Sequence, residues 1–282
     1  NLPAKKQRIP PFNRFLFVTY FPALDADAAR TGIFRNNYLQ PLQDLLEKQR
    51  SKITWICRYV NSLQGYSFKE AVRLIKDFSA HEYHCILREE YFGIKNFLLA
   101  FTTLLRQIPI SCMLYKQASR TVLIESPCGK ESLPLIKKLW FTSLLGSGQM
   151  ANIADYFIFK DIFKNFAVRD CVYLCEMQGW EKALNAAKRS APSPVRSIGF
   201  QHTAFSKNYL SYYYDREELS APPGSYTLPL PEVLAANGAS AYAEFRSTGY
   251  PNVKEVEALR QIHITEAFSV TKNIPKGKPI LF

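Results

Sequence analysis

CVYLCEMQGWEKALNAAKRSAPSPVRSIGFQH, residues 171–202, reads as strand, helix, loop and strand. Val172, Tyr173, Leu174 and Cys175 form a short apolar run of the kind buried on both faces of a parallel sheet. Residues 181–189 then set Ala183, Leu184, Ala186 and Ala187 among Lys and Arg, the spacing of an amphipathic helix. The loop 190–194 stops that helix at its prolines, and residues 197–200 resume an apolar strand that runs into Gln201 and His202. In open α/β sheets, ligands sit beyond the carboxyl ends of the strands. Glu176, Gln178, Gln201 and His202 fall there together, which makes them candidates for a shared site. Taken singly, Glu176 and Gln178 serve equally well as caps of the following helix, and His202 as an ordinary loop residue.

Outward from this unit the same alternation continues. FLFVTYF at 15–21 predicts a central strand halted by Pro22, followed by Asp25 and by Arg35, Asn36 and Asn37 before a helix over 38–48. Asp25 resembles Glu176 in position and is a second candidate base, with a helix N-cap as the alternative. ITWICRYV at 53–60 predicts the next strand and 67–78 the next helix, so the chain is expected to form an α/β, Rossmann-like parallel sheet with helices on both faces. No Gly-x-Gly-x-x-Gly follows the first strand, so the dinucleotide fingerprint is absent.

The most hydrophobic window, 91–114, is interrupted by Lys95, Arg106, Gln107 and Pro109, short of the roughly 20 apolar residues a spanning helix needs. It is read as a buried helix followed by a strand, or as an interfacial helix dipping Phe92, Leu98, Leu99 and Phe101 into lipid. Residues 116–135 carry Pro127, Gly129 and Pro134 among charges and predict a surface excursion. Gly146, Ser147 and Gly148 make a small-residue turn before a helix, either a plain loop or a backbone cradle for a phosphate or a sugar hydroxyl. After His202 the aromatic tract 205–214 offers Tyr209 and Tyr212, residues that stack on sugar rings or simply pack. A linker over 222–231, a strand over 232–236, a helix over 239–247 and, near 253–259 and 278–282, either edge strands or a chain cut short complete the reading.

Composition sets limits on function. With 47% hydrophobic and 14% aromatic residues, the chain can build a sizeable core, which excludes wholesale disorder. An excess of 36 Lys and Arg over 24 Asp and Glu gives +12, which favours phosphate-bearing ligands, nucleic acid or an anionic membrane face. The basic residues are dispersed and no RRM, KH or helix-turn-helix signature is present, so nucleic acid is set aside. The six cysteines include no C-x-x-C pair, so neither a metal nor another cofactor is expected, and a reducing compartment fits best.

The segments EMQGWEKAL, IGFQH, LPLPEVLAANG, GYPNVKEVEAL and KPILF, together with FLFVTYFPALD and FRNNYLQPLQDLL, resemble the N-terminal half of bacterial surface-carbohydrate glycosyltransferases of GT-B architecture, related in layout to enzymes using CMP-activated acidic sugars such as Kdo. The resemblance implies a basic leader over 1–13, an acceptor-side domain over 14–275 and the start of a second domain at 276–282. That second domain would hold most of a CMP- or UDP-sugar donor, so this chain alone is expected to bind such donors weakly and to be weakly active or inactive. The acceptor would be a glycan or a lipid-linked glycan. Asp25, Glu176 and His202 are carried over as candidate catalytic groups, with Arg35, Asn36, Gln178, Trp180, Gln201, Tyr209 and Tyr212 as substrate-binding candidates. Surface polysaccharide synthesis implies a cytoplasmic protein with peripheral attachment at an anionic inner membrane face. The alternative is a non-catalytic carbohydrate- or membrane-associated scaffold.

Overall fold

A computed structural model describes residues 13–24, 27–61, 65–80, 83–125, 129–203, 209–220, 227–257 and 259. In chain order the elements are β1 (Asn13–Phe21), α1 (Ala28–Thr31), α2 (Gln40–Lys48), β2 (Ile53–Tyr59), α3 (Phe68–Ala80), β3 (His84–Leu87), α4 (Ile94–Glu125), α5 (Gly129–Leu145), α6 (Ser147–Asn165), β4 (Val168–Leu174), α7 (Gly179–Lys188), β5 (Arg196–Phe200), α8 (Arg216–Leu219), β6 (Val233–Asn237), α9 (Ala239–Ser247) and β7 (Val253–Val256). The seven strands form one sheet in the order β3-β2-β1-β4-β5-β6-β7, and every pairing is parallel. The fold is therefore Rossmann-like α/β, with the strand order reversing between β1 and β4. At such a reversal the connections leave in opposite directions and open a crevice at the carboxyl ends.

Alternation along the strands divides the core into two layers. Leu16 and Val18 of β1 pack with Ile158, Ile162 and Leu184 of α6 and α7 on one face. Phe17 and Phe21 pack with Trp55, Ile75 and Phe78 of β2 and α3 on the other. β4 lies between neighbours and is buried on both faces apart from Arg169, which explains its nearly unbroken apolar run. The buried Asp170 in that run is compensated by Arg169 Nε at 2.8 Å and by Arg196 Nε of β5 at 2.6 Å. Cys57, Cys85, Cys171 and Cys175 are buried free thiols, whereas Cys112 is exposed on α4.

Two expectations are corrected. The window 91–114 is not a helix followed by a strand: α4 is a single 32-residue helix that continues through Pro109. It persists because one stripe docks, Ala100 against Ile153 and Ala154 of α6 and Ser111 against Trp140 of α5. The strand of this region is the short β3, upstream of the window, whose four residues are too few to announce themselves by alternation. The surface excursion over 116–135 is instead the end of α4 and the start of α5. Gly146 separates α5 from α6, and a Cβ there would lie 2.3 Å from the Thr142 carbonyl oxygen, so only glycine fits this turn. The strand expected at 278–282 and residues 205–208 of the aromatic tract lie outside the described residues.

Candidate active site

The carboxyl ends of β1, β4 and β5 bring Tyr20, Glu176 and His202 together. Adjacent strands run about 4.8 Å apart, so side chains leaving β4 and β5 at matching heights meet. His202 Nε2 lies 3.2 Å from Glu176 Oε1. The other carboxylate oxygen accepts from the Tyr20 hydroxyl at 3.2 Å and from the Gln178 amide at 2.6 Å. Glu176 is thus fixed by three partners, and a carboxylate held in this way cannot swing away from the imidazole. The Tyr38 ring meets the His202 ring edge-on with centroids 4.7 Å apart, which limits imidazole rotation. Side-chain exposure is 5% for His202 and 16% for Glu176, so Glu176 is the member of the pair that solvent reaches more readily.

The turn carrying Glu176 is held from behind. Met177 adopts φ 58°, a left-handed conformation that an unbranched residue tolerates at a cost. Glu181, buried in the first turn of α7, pins it by accepting from the backbone N–H groups of Glu176, Met177 and Gln178 at 2.8, 3.0 and 3.2 Å. Burial raises the Glu181 carboxyl to about 7, against the pull of these backbone donors. Burial, and next the Glu176 charge, push the Tyr20 phenol upward, so it stays a proton donor toward Glu176.

Behind Tyr20 stands Trp180, 6.0 Å from it edge-on and buried. The Arg58 guanidinium lies 4.5 Å over the Trp180 ring and binds Asp155 at 2.9 Å, and Arg88 shares the same Asp155 oxygen through Nε at 2.6 Å. Tyr209, 44% exposed, directs its hydroxyl to the Glu176 carbonyl at 3.4 Å and leaves a ring accessible at the crevice.

Of the residues singled out in the sequence, Glu176, Gln178, His202 and Tyr209 converge here. Asp25 lies outside the described residues. Asn36 is buried, donating to Thr19 Oγ1 at 2.8 Å and to the Ala23 carbonyl while accepting from the Tyr38 and Leu39 amides. Its amide holds the loop that presents Tyr38. Arg35 pairs with Asp44 of α2 at 2.9 Å. Trp180 donates to Gln178 Oε1 at 3.1 Å and supports the site from the core. Gln201 is buried and ties Asn237 N to the Thr203 carbonyl, and Tyr212 is buried with its hydroxyl on the Cys175 carbonyl. Tyr20, Tyr38 and Glu181 were not singled out. Arg58, the one charge inside ITWICRYV, was the available signal for a polar cluster at this edge.

Two surface hollows lie elsewhere, one lined by Lys188, Arg189, Pro231 and Asn252 and one by Glu47, Lys52, Trp55 and His84. Both flank the amino ends of strands, away from the convergent polar groups, so the Glu176–His202 pair and not the hollows marks the site. Among the described residues no cluster of three or more His, Cys, Asp or Glu is placed to hold a metal ion. Comparison with known proteins finds no matching family model, no matching curated protein and no matching solved structure.

Proposed function

We propose that the chain is the acceptor-side part of a glycosyltransferase that moves a sugar from a nucleotide-activated donor, a CMP- or UDP-sugar, to a glycan or lipid-linked acceptor. The observation that carries this reading is the Glu176–His202 pair, 3.2 Å apart at neighbouring strand ends beside the reversal of strand order. In this mechanism an acceptor hydroxyl donates its proton to the Glu176–His202 pair: the Glu176 carboxylate, the more exposed member, accepts the proton, and His202 Nε2 on Oε1 holds the carboxylate in place. The hydroxyl oxygen then bonds the anomeric carbon as the bond from that carbon to the nucleotide phosphate oxygen breaks, and the nucleotide leaves with the electron pair. Tyr209 and Tyr38 offer ring faces suited to sugar C–H groups. The segments EMQGWEKAL and IGFQH, which carry the resemblance, are also those that carry Glu176 and His202.

Incubation of a full-length enzyme, in which this acceptor-side part is joined to its donor-binding part, with panels of CMP- and UDP-sugars and glycan acceptors, read by nucleotide release and by acceptor mass, tests the reading. Glu176→Gln and His202→Ala are each expected to lower turnover by about 10²–10⁴ while the folded fraction is kept. Turnover that survives both substitutions in folded protein would overturn it.

A further inference from the structure

The helical segment between β3 and β4 carries a surface that the α/β body does not use. Contrary to the expectation that its cations and Pro109 cut the apolar run short, Ile94–Thr121 is long and apolar enough to cross a bilayer, with mean hydropathy 1.6, yet only 11% of its most apolar window is buried. A buried stripe through Asn96, Ala100 and Ser111 faces α6 and α5. The opposite side exposes Phe97, Leu98, Phe101, Leu105, Ile110 and Met113. On the second helix of the hairpin, Leu135 and Leu139 of α5 are likewise exposed, at 60% and 56%. An apolar surface of this extent is foreign to a soluble monomer.

The charges on this helix choose the occupant. Residues 94–121 contain Lys95, Arg106, Lys116 and Arg120, all exposed, and no Asp or Glu. A second copy of the chain packed on the same face about a two-fold axis would set these four cations against their own kind. An anionic bilayer satisfies both halves of the surface, since lipid tails take the rings and aliphatic side chains while headgroup phosphates take the cations. Crossing the bilayer is disfavoured, because one face of α4 is committed to α6 and Arg106 stands exposed at mid-helix. We infer that the α4–α5 hairpin is a membrane-docking element, lying in the interface of an anionic lipid bilayer.

Its placement orients the molecule. α6 descends to the amino end of β4, while its Asn152 abuts Gly179 at the carboxyl end of β4. α4 runs antiparallel beside it, with Ala100 near Ile153 and Gln107 bonded to Gln149 at 3.3 Å. Beyond Gln107 the hairpin therefore projects past the edge of the sheet that carries Glu176 and His202. Docking would place the crevice at the lipid surface.

Flotation of the purified protein with vesicles of phosphatidylcholine alone, and of phosphatidylcholine mixed with phosphatidylglycerol, tests this. The protein should float with the mixed vesicles, and quenching by brominated acyl chains should act on Trp140 of α5 in preference to the core residues Trp55 and Trp180. Leu98→Glu combined with Phe101→Glu alters side chains already exposed, so thermal stability should hold while retention falls by at least about tenfold. Replacing Lys95, Arg106 and Lys116 by Gln should abolish the preference for anionic vesicles. Failure of the wild type to float, or retention untouched by the Leu98 and Phe101 changes, would overturn the inference. So would a dimer in solution that those changes dissociate. The readout is vesicle retention and not turnover, so its failure leaves the glycosyltransferase reading to its own assay.

Discussion

Tyr20 reaches Glu176 across the point where the sheet reverses its order: the hydroxyl at the end of β1 donates to Oε2 of the carboxylate beyond β4 at 3.2 Å, over a sequence separation of 156 residues. Neither residue's role is local, and their meeting depends on β1 and β4 being neighbours.

This contact should be measurable as a coupling. A hydrogen bond to a charged acceptor contributes about 1.5–3 kcal/mol, so Tyr20→Phe should lower unfolding stability by that order. In the Glu176→Gln background the same change should cost less, giving a coupling above about 0.5 kcal/mol in a double-mutant cycle by urea unfolding. Strict additivity would show that the contact contributes nothing to the fold.

Glu181 predicts a pH dependence with a definite sign. Its carboxyl is raised by burial from 4.5 to about 7, so between those values the folded state binds a proton that the unfolded chain releases. The stabilisation is full below pH 4.5 and is lost as pH rises toward 7, at up to about 1.4 kcal/mol per pH unit. Denaturation of wild type and Glu181→Gln across pH 4–8 isolates the effect. The wild type's advantage should shrink over this window and level off above it, and a gap that widens with pH would refute the assignment.

Asp155 holds two arginines from different strand ends with a side chain only 1% exposed. Removing it leaves Arg58 and Arg88 partly buried with only Glu89, 3.7 Å from Arg88, to balance them. Asp155→Ala should therefore destabilise by about 3–5 kcal/mol, as read by chemical denaturation. A loss under about 1 kcal/mol would mean that water reaches both guanidinium groups.

Gly179 opens α7 where Asn152 of α6 crosses it, and a Cβ there would meet Asn152 Nδ2 at 2.2 Å. Gly179→Ala should cost about 1–3 kcal/mol by overpacking. Adding Asn152→Ala should recover most of the loss, and if it does not, the strain lies in the backbone.

The doubly wound sheet was legible because β1, β2, β4 and β5 are apolar runs separated by amphipathic helices, and the helix over 239–247 was placed to the residue. The pairing of Glu176 with His202 followed from their positions at consecutive strand ends. The long helix α4 was misread because Pro109 and the scattered cations look like breaks, whereas tertiary packing along one stripe overrides them. Tyr20 and Tyr38 were invisible as site residues because an aromatic in an apolar strand or before a helix has the same local signature whether it faces core or crevice. Asn36 and Trp180 fell among the substrate candidates because polarity and ring size are readable in a sequence while burial is not.

The distribution of thiols makes the protein its own clock for opening. Cys57, Cys85 and Cys171 sit in β2, β3 and β4, with Cys175 just past β4; all four are buried, and burial pushes each thiol upward, Cys171 to about 12. Only the thiolate reacts with an alkylating reagent, so each core cysteine stays silent until its own strand is exposed to water. Cys112 on α4 is exposed and should label at once. The sequence in which the four buried thiols acquire label, residue by residue in a mass spectrum, would then give the order in which neighbouring strands part company.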